Sequence, residues 1–284
     1  MNSLAGKTVV ITGAGSGIGR SLALECAKVS ANLALCDINE GLLQETRALL
    51  EEHSVKLLVT VVNVSSWEEM QTFAKVVADY FGGIDVLINN AGVSLSETVA
   101  ETRLEDFEWI MKINFWGVVY GCRAFLPHLT ARPESHIINL SSSLGLVGMP
   151  TQSAYCASKF AVRGFTEALH QEYAQTNLRV TCIHPGNVKT NIVKFGRHYR
   201  NMFGDKPQEV NFEEDFSSRA MTRPEQAAQQ IIHGILQNKM RVLVGPDAKM
   251  IDLCQRVLPQ RYGKVILAIN RFFRWLNPTQ KIIT

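Results

Sequence analysis

Short apolar runs alternate along most of the chain with longer stretches of mixed polarity. Thr8 to Ile11, Leu33 to Cys36, Leu57 to Val62, Ile84 to Ile88, His136 to Leu140, Val180 to His184 and Arg241 to Val244 are brief and rich in Val, Ile and Leu. That is the pattern of strands buried on both faces. Between them, apolar residues recur at helical spacing over Ile18 to Ser30, Glu40 to Glu52, Trp67 to Tyr80, Leu104 to Leu129, Ala154 to Gln175 and Pro224 to Gln237. The last of these carries proline in its first turn. The longest, Leu104 to Leu129, is expected to break near Gly121 or Pro127. Strand followed by helix throughout predicts a parallel sheet covered on both sides, with right-handed crossovers. The fold class is α/β, a doubly wound parallel sheet. Ligands bind such sheets beyond the C-terminal strand ends, where the strand order reverses.

Two segments depart from the repeat. Residues 191–223 follow the sixth strand and mix Phe195, Tyr199, Phe203, Phe212 and Phe216 with charges of both signs, as expected of a binding loop. Residues 250–284 carry apolar side chains at helical spacing, with Arg256, Arg261, Lys264, Arg271, Arg274 and Lys281 against Asp252. A basic amphipathic helix either packs on its own domain or a second subunit, or lies in a membrane interface. Packing is the preferred reading, with peripheral membrane contact through 250–284 as the other.

Composition narrows the picture. The 284 residues are 46% hydrophobic and 19% charged, enough for one full core and too apolar for disorder. A net charge of +3 gives no ground for nucleic-acid binding. Cys26, Cys36, Cys122, Cys156, Cys182 and Cys254 form no C-x-x-C pair or zinc spacing, so no metal site is expected. They read as free thiols in a reducing compartment. Residues 1–7 lack the apolar core of a signal peptide, and no run is long enough to span a bilayer. A cytoplasmic location is expected.

The candidate chemistry begins directly after the first strand, with Thr12-Gly13-Ala14-Gly15-Ser16-Gly17-Ile18-Gly19 opening the first helix. Glycines let the chain turn tightly and let a pyrophosphate approach the backbone, while the helix N-terminus offers free N–H groups. Asp37 ends the second strand, placed to accept hydrogen bonds from an adenosine ribose and to repel a 2′-phosphate. No Lys or Arg lies in the turn or beside Asp37. NAD is therefore favoured over NADP. Tyr155 and Lys159 stand four residues apart on one helix face, where a cation lowers a phenol's pKa and suits it to proton transfer.

The glycine pattern, Asn89-Asn90-Ala91-Gly92, Tyr155-x-x-x-Lys159 and Pro185-Gly186, in this order, resemble the short-chain dehydrogenase/reductase family in its compact single-domain branch, over about residues 5–245. The resemblance implies a Rossmann fold. It also implies catalytic roles for Asn114, Ser142, Tyr155 and Lys159. Tyr155 matches the general acid/base. Lys159 matches the residue that lowers the tyrosine pKa and binds the nicotinamide ribose. Ser142 matches the serine that bonds the reacting oxygen, and Asn114 the asparagine that holds a water. Gly13, Ser16, Gly17, Ile18, Gly19, Asp37, Asn63, Val64, Asn90, Ala91, Gly92, Pro185, Gly186, Val188 and Thr190 fall at cofactor-binding positions, with Tyr155 and Lys159. The family's usual aspartate after the third strand is absent. Asn63 stands in the Val62-Asn63-Val64 stretch, and its carbonyl can accept from an adenine amine.

The expected activity is an oxidoreductase moving a hydride between NAD(P) and a hydrophobic alcohol or ketone. Its pocket is expected from Val93, Ser94, Leu95, Leu144, Val147, Met149 and the 191–223 loop, with Ser142, Leu144, Met149 and Tyr155 as substrate residues. The alternative is a non-catalytic cofactor-sensing protein of the same fold. Residues 1–249 read as the dinucleotide-binding and catalytic domain, and 250–284 as a C-terminal helical extension of it. Relatives of this kind imply a homodimer or homotetramer built on the helices Leu104 to Leu129 and Ala154 to Gln175.

Overall fold

The computed structural model describes residues 1–276. Residues 277–284, and the side chains of Asn270, Phe272, Phe273, Arg274, Trp275 and Leu276, lie outside that description, so the last part of the expected extension does too. In chain order the strands are β1 (Thr8–Thr12), β2 (Asn32–Asp37), β3 (Leu57–Val61), β4 (Val86–Asn89), β5 (Leu95–Ser96), β6 (Ser135–Leu140), β7 (Leu178–Pro185), β8 (Arg197–His198) and β9 (Arg241–Val244). Seven of them form one parallel sheet in the order β3-β2-β1-β4-β6-β7-β9, and β5 pairs with β8 apart from it. This is a Rossmann-like α/β fold.

The helices are α1 (Gly17–Lys28), α2 (Glu40–Leu49), α3 (Trp67–Phe81), α4 (Leu104–Met111), α5 (Gly117–Thr130), α6 (Ser153–Glu172), α7 (Phe212–Ser218), α8 (Pro224–Leu236), α9 (Pro246–Val257) and α10 (Tyr262–Leu276). Alternation along β1 divides the core. Val9 and Ile11 join one apolar cluster with Leu22 and Ile231, while Val10 joins the other with Phe73 and Phe125. Helix ends follow local chemistry. Ser66 Oγ accepts from Glu69 N at 3.2 Å to start α3, and Gly82 ends it in the left-handed region, with φ +73°.

The chain runs β1, β2, β3 toward one edge, then returns to place β4 on the other side of β1. The strand order therefore reverses between β1 and β4, and the C-terminal ends of those two strands flank a crevice.

The long helix does not break where expected. Pro127 sits inside α5, three residues before its end, and the helix continues through it. Gly121 is inside α5 because the helix lies against β4: a Cβ there would run into Asn89 Oδ1. The irregularity falls instead at Lys112–Trp116, a π-helical turn centred on Asn114.

Candidate active site

The glycine turn is shaped by contacts that leave no room for side chains. Gly13 has φ +65°, and a Cβ on it would lie 2.7 Å from Ala91 Cα. Gly17 has φ +54° and faces the Thr190 side chain. Asn90 ties the turn to β4 by donating its Nδ2 to the carbonyls of Thr12 (2.9 Å) and Gly13 (3.0 Å). Thr12 Oγ1 accepts in return from the N–H groups of Asn90 and Ala91, each at 3.1 Å. Gly19 lies off the crevice, packed against the Gly13 carbonyl and the Asn90 amide. Ser16 does not cap α1 with its side chain, and the first turn of α1 holds no acidic residue. The start of α1 thus presents backbone N–H groups to the crevice beside Gly13, Gly17 and Ile18. This suits a pyrophosphate, and the residues present fit a dinucleotide.

Asp37 projects into the same crevice from the end of β2. Its Oδ2 accepts from Gly15 N and its Oδ1 from Asn39 N, both at 2.9 Å. A carboxylate has capacity beyond these two bonds. Arg20 stands behind the turn, bonded to the Gly15 carbonyl, Thr46 Oγ1 and Glu45. Asn63 and Val64 line the crevice farther along. Asn63 Oδ1 is turned onto its own loop, accepting from Ser65 N at 3.0 Å and Ser65 Oγ at 2.7 Å. The carbonyl expected to meet an adenine amine already has two donors.

Tyr155, Lys159 and Ser142 converge on the middle of the crevice, each less than a tenth exposed. Tyr155 and Lys159 share a face of α6, whose first turn follows a short 3₁₀ turn, Ser143–Gly145. Ser142 Oγ caps that turn, accepting from Leu144 N at 3.1 Å, and stands near enough to Tyr155 to favour its phenolate. Burial pushes Tyr155 up to about 12, against the pull of Ser142. Burial likewise brings Lys159 down to about 8. Lys159 Nζ donates to the Leu140 carbonyl at 3.0 Å and lies 5.8 Å from the centre of the Tyr155 ring. Desolvation of the phenolate is the largest influence on Tyr155 in the protein alone.

Asn114 sits behind this group rather than in the crevice. Its Oδ1 accepts from Val93 N at 2.8 Å, and its Nδ2 donates to the Val93 carbonyl (2.9 Å) and Ser158 Oγ (3.0 Å). Gly92 separates it from the lysine: a Cβ there would lie 3.1 Å from Asn114 Oδ1 and 3.3 Å from Lys159 Nζ.

Pro185, Gly186, Val188 and Thr190 leave β7 along the opposite wall. Val188 bridges to Thr222, which fastens both ends of the 191–223 loop. Within the loop, β8 pairs with β5 and α7 folds over the crevice. His198 is held between Ser94 Oγ (3.0 Å) and Ser96 Oγ (2.8 Å), and burial lowers it to about 4. Ser94 gives its own proton to the Ile192 carbonyl, so His198 Nε2–H must donate to Ser94. Phe195, Phe203, Phe212 and Phe216 line the cavity beneath. Tyr199 does not; its hydroxyl donates to Asp106 at 3.0 Å.

The cavity has a volume of about 920 Å³ and runs from Gly13 and Asp37, past Tyr155, to an apolar end. Leu144, Met149, Val93 and Ser94 line it as expected, joined by Trp109, Ile113, Ile251, Ile266 and Ile269. Leu95 and Val147 do not. Leu95 is buried against Ala154 and Ile110, and Val147 packs with Leu146 and Ile266. Leu95 directly follows the lining residue Ser94, and alternate side chains of an extended segment point oppositely. Asp247 was not foreseen. It lies beneath Gly186 at the cavity wall and accepts from Asn187 N through Oδ2, while its Oδ1 is buried without a partner among the described residues. It is the second residue of α9, and nothing in its sequence surroundings marks it.

The chain's likeness to known proteins runs along nearly all of its length. A family model described as short chain dehydrogenase matches residues 7–200. SadH of Mycobacterium tuberculosis, named as an oxidoreductase, is 40% identical over 279 residues, 97% of this chain and 99% of that one. Human estradiol 17-beta-dehydrogenase 11 is 32% identical, over 93% of this chain and 83% of its own. Mouse 3-ketodihydrosphingosine reductase is 34% identical, over 88% of this chain and 74% of its own. Among solved structures, a short-chain dehydrogenase/reductase from Burkholderia phymatum in complex with NAD superposes with a TM-score of 0.83 at 27% identity, covering 90% of this chain and 95% of that one. Sequence match, relatives and fold agree, and the chain belongs to the short-chain dehydrogenase/reductase family of oxidoreductases.

Proposed function

We propose that this protein moves a hydride between a nicotinamide dinucleotide and an apolar alcohol or ketone, with Tyr155 as general acid and base and NAD preferred to NADP. The observation that carries the reading is the continuity of one cavity from the glycine turn, past Ser142 and Tyr155, into an apolar chamber. When bound, the cofactor supplies or takes the hydride. Tyr155 takes the proton of the alcohol in oxidation and returns it in reduction. Ser142 Oγ gives the reacting oxygen a second hydrogen bond, so charge develops between two fixed donors. The Lys159 ammonium, buried beside them, favours an anionic oxygen in that position. Asn114 holds Val93 and Ser158, and through them the floor of the site. Asp37, with no cation bonded to it among the described residues, supports the NAD preference. The names of the human and mouse relatives point to lipid-like alcohols and ketones, in keeping with the phenylalanines and isoleucines of the chamber.

The test is a panel of short alcohols, long-chain alcohols and sterols, with their ketones, assayed with NAD and NADP by absorbance of the reduced nicotinamide. Turnover on apolar members is expected, with a loss of roughly 10²–10⁴-fold in Tyr155→Phe while dinucleotide binding persists. Tight dinucleotide binding with no turnover across the panel would instead identify a non-catalytic cofactor sensor. Half-exposed Trp116 and Phe160, on the α4–α5 segment and α6, support assembly as a homodimer or homotetramer, which light scattering would read as a multiple of the 31.6 kDa chain mass.

A further inference from the structure

Helix α9 carries its apolar side chains on the side turned to solvent. Ala248 is buried and Ile251 partly covered, whereas Leu253 is 62% and Val257 65% exposed, with Met250 and Leu258 beside them at 39% and 37%. Leu253 and Val257, at i and i+4, form one stripe along the helix, continued by Met250, which also borders the cavity. A helix covering a core shows the reverse arrangement.

The helix that follows is built differently. Ile266 of α10 is buried against Leu146 and Val147, and Ile269 reaches the cavity. Tyr262 Oη accepts from Gly148 N at 3.3 Å, pinning the start of α10 beside the site. The exposed positions of this stretch are Arg261, Lys264, Ala268 and Arg271. At i, i+3, i+7 and i+10 they make one mainly cationic stripe. Among residues 246–271 the acids are Asp247, bonded to Asn187 N, and Asp252, paired with Arg241 and Arg256. Lys249, Arg261, Lys264 and Arg271 have no ion-pair partner among the described residues.

We propose that α9 and α10 dock on the surface of an anionic lipid bilayer, the α9 stripe entering the acyl boundary and the α10 cations meeting the headgroups. Exposed apolar residues on one helix and exposed cations on the next are the composition that partitions into such an interface. No helix among the described residues is long and apolar enough to cross a membrane, so the proposed contact is with the surface. A second copy of the chain fits less well. A two-fold contact through this face would bring its cations near those of the partner without acids to meet them. Resting on the proposed function, the position of Ile266 and Ile269 on the cavity wall makes α10 the side from which a membrane-dissolved alcohol or ketone enters.

The test is flotation of the full chain with vesicles of phosphatidylcholine, alone or mixed with phosphatidylglycerol. Flotation with the mixed vesicles, released by high salt, is expected. Arg261→Gln with Lys264→Gln should weaken partitioning about thirtyfold, about fivefold for each cation. Leu253→Ser with Val257→Ser should abolish flotation. Dinucleotide titration, unchanged in both variants, controls for folding. The proposal is overturned if the chain floats with neither vesicle, or if binding survives both pairs of substitutions. It is equally overturned if the leucine–valine pair dissociates an oligomer seen by light scattering while vesicles leave the wild type in solution. Vesicle binding without turnover would defeat the proposed reaction and leave the docking surface standing.

Discussion

Lys159 Nζ lies 5.8 Å from the centre of the Tyr155 ring and spends a hydrogen bond on the Leu140 carbonyl. Four residues apart on one helix face, the two were expected to form a phenolate supported by a cation. Burial acts on both against their charged forms, taking Tyr155 up to about 12 and Lys159 down to about 8. In the protein alone burial favours the neutral form of both groups.

This has a consequence for stability. Below about pH 8 Lys159 is protonated both folded and unfolded, and the penalty for burying the cation is fully present. From there toward its ordinary value of 10.5 the unfolded chain holds the extra proton, so stability rises with pH. Above 10 the unfolded chain loses the Tyr155 proton first, and the trend reverses. Urea unfolding at about pH 7 and about pH 9.5 should therefore show wild type gaining on the order of 2 kcal/mol relative to Lys159→Met. The same pH dependence in both chains would sink this account.

Asp37 does two jobs that a substitution can separate. Its carboxylate braces the glycine turn through Gly15 N, and its charge faces the place where a 2′-phosphate would sit. Asp37→Asn keeps an acceptor for the brace and removes the charge. NADP binding should strengthen roughly tenfold relative to NAD. Direct titration of both dinucleotides checks it, and wild type binding NADP as tightly as NAD would show that the charge does not discriminate.

Asp106 latches the substrate loop. Its buried carboxylate accepts from Arg197 and from Tyr199 Oη, and Arg197 stacks over Trp109, 4.1 Å from the ring centre. Trp109 in turn lines the cavity. Asp106→Ala leaves the guanidinium without its partner and should cost about 3–5 kcal/mol at most, less for its partial exposure. KM for apolar substrates should rise several-fold more than kcat falls, and limited proteolysis should open within 191–223. An unchanged digestion pattern with unchanged KM would remove the latch from consideration.

The strands of the main sheet, the glycine turn and the Tyr155–Lys159 face were legible because each is written in consecutive residues or at a single helical spacing. Val9, Val10 and Ile11 need only their neighbours and the pleat to read as a buried strand. The π turn at Asn114 was not legible. It follows from seating Asn114 against Val93 and Ser158, whereas the prolines and glycines that sequence rules watch were accommodated by position and packing. The β5–β8 pair, the His198 bonds to Ser94 and Ser96, and Asp247 beneath Gly186 likewise join residues far apart in the chain.

By itself the sequence determined the α/β alternation, the dinucleotide turn and the order of the family motifs, since these rest on local periodicity and on residue types with few conformational alternatives. Tertiary structure decided the state of the chemistry. Tyr155 and Lys159 titrate as their burial dictates, because desolvation depends on everything packed around them. The apolar chamber exists only where residues 191–223 fold over β5 and α10 folds against Leu146. The outward stripe of α9 became visible only once its inward side had been assigned, because an amphipathic pattern shows that a helix has two faces and not which of them the protein covers.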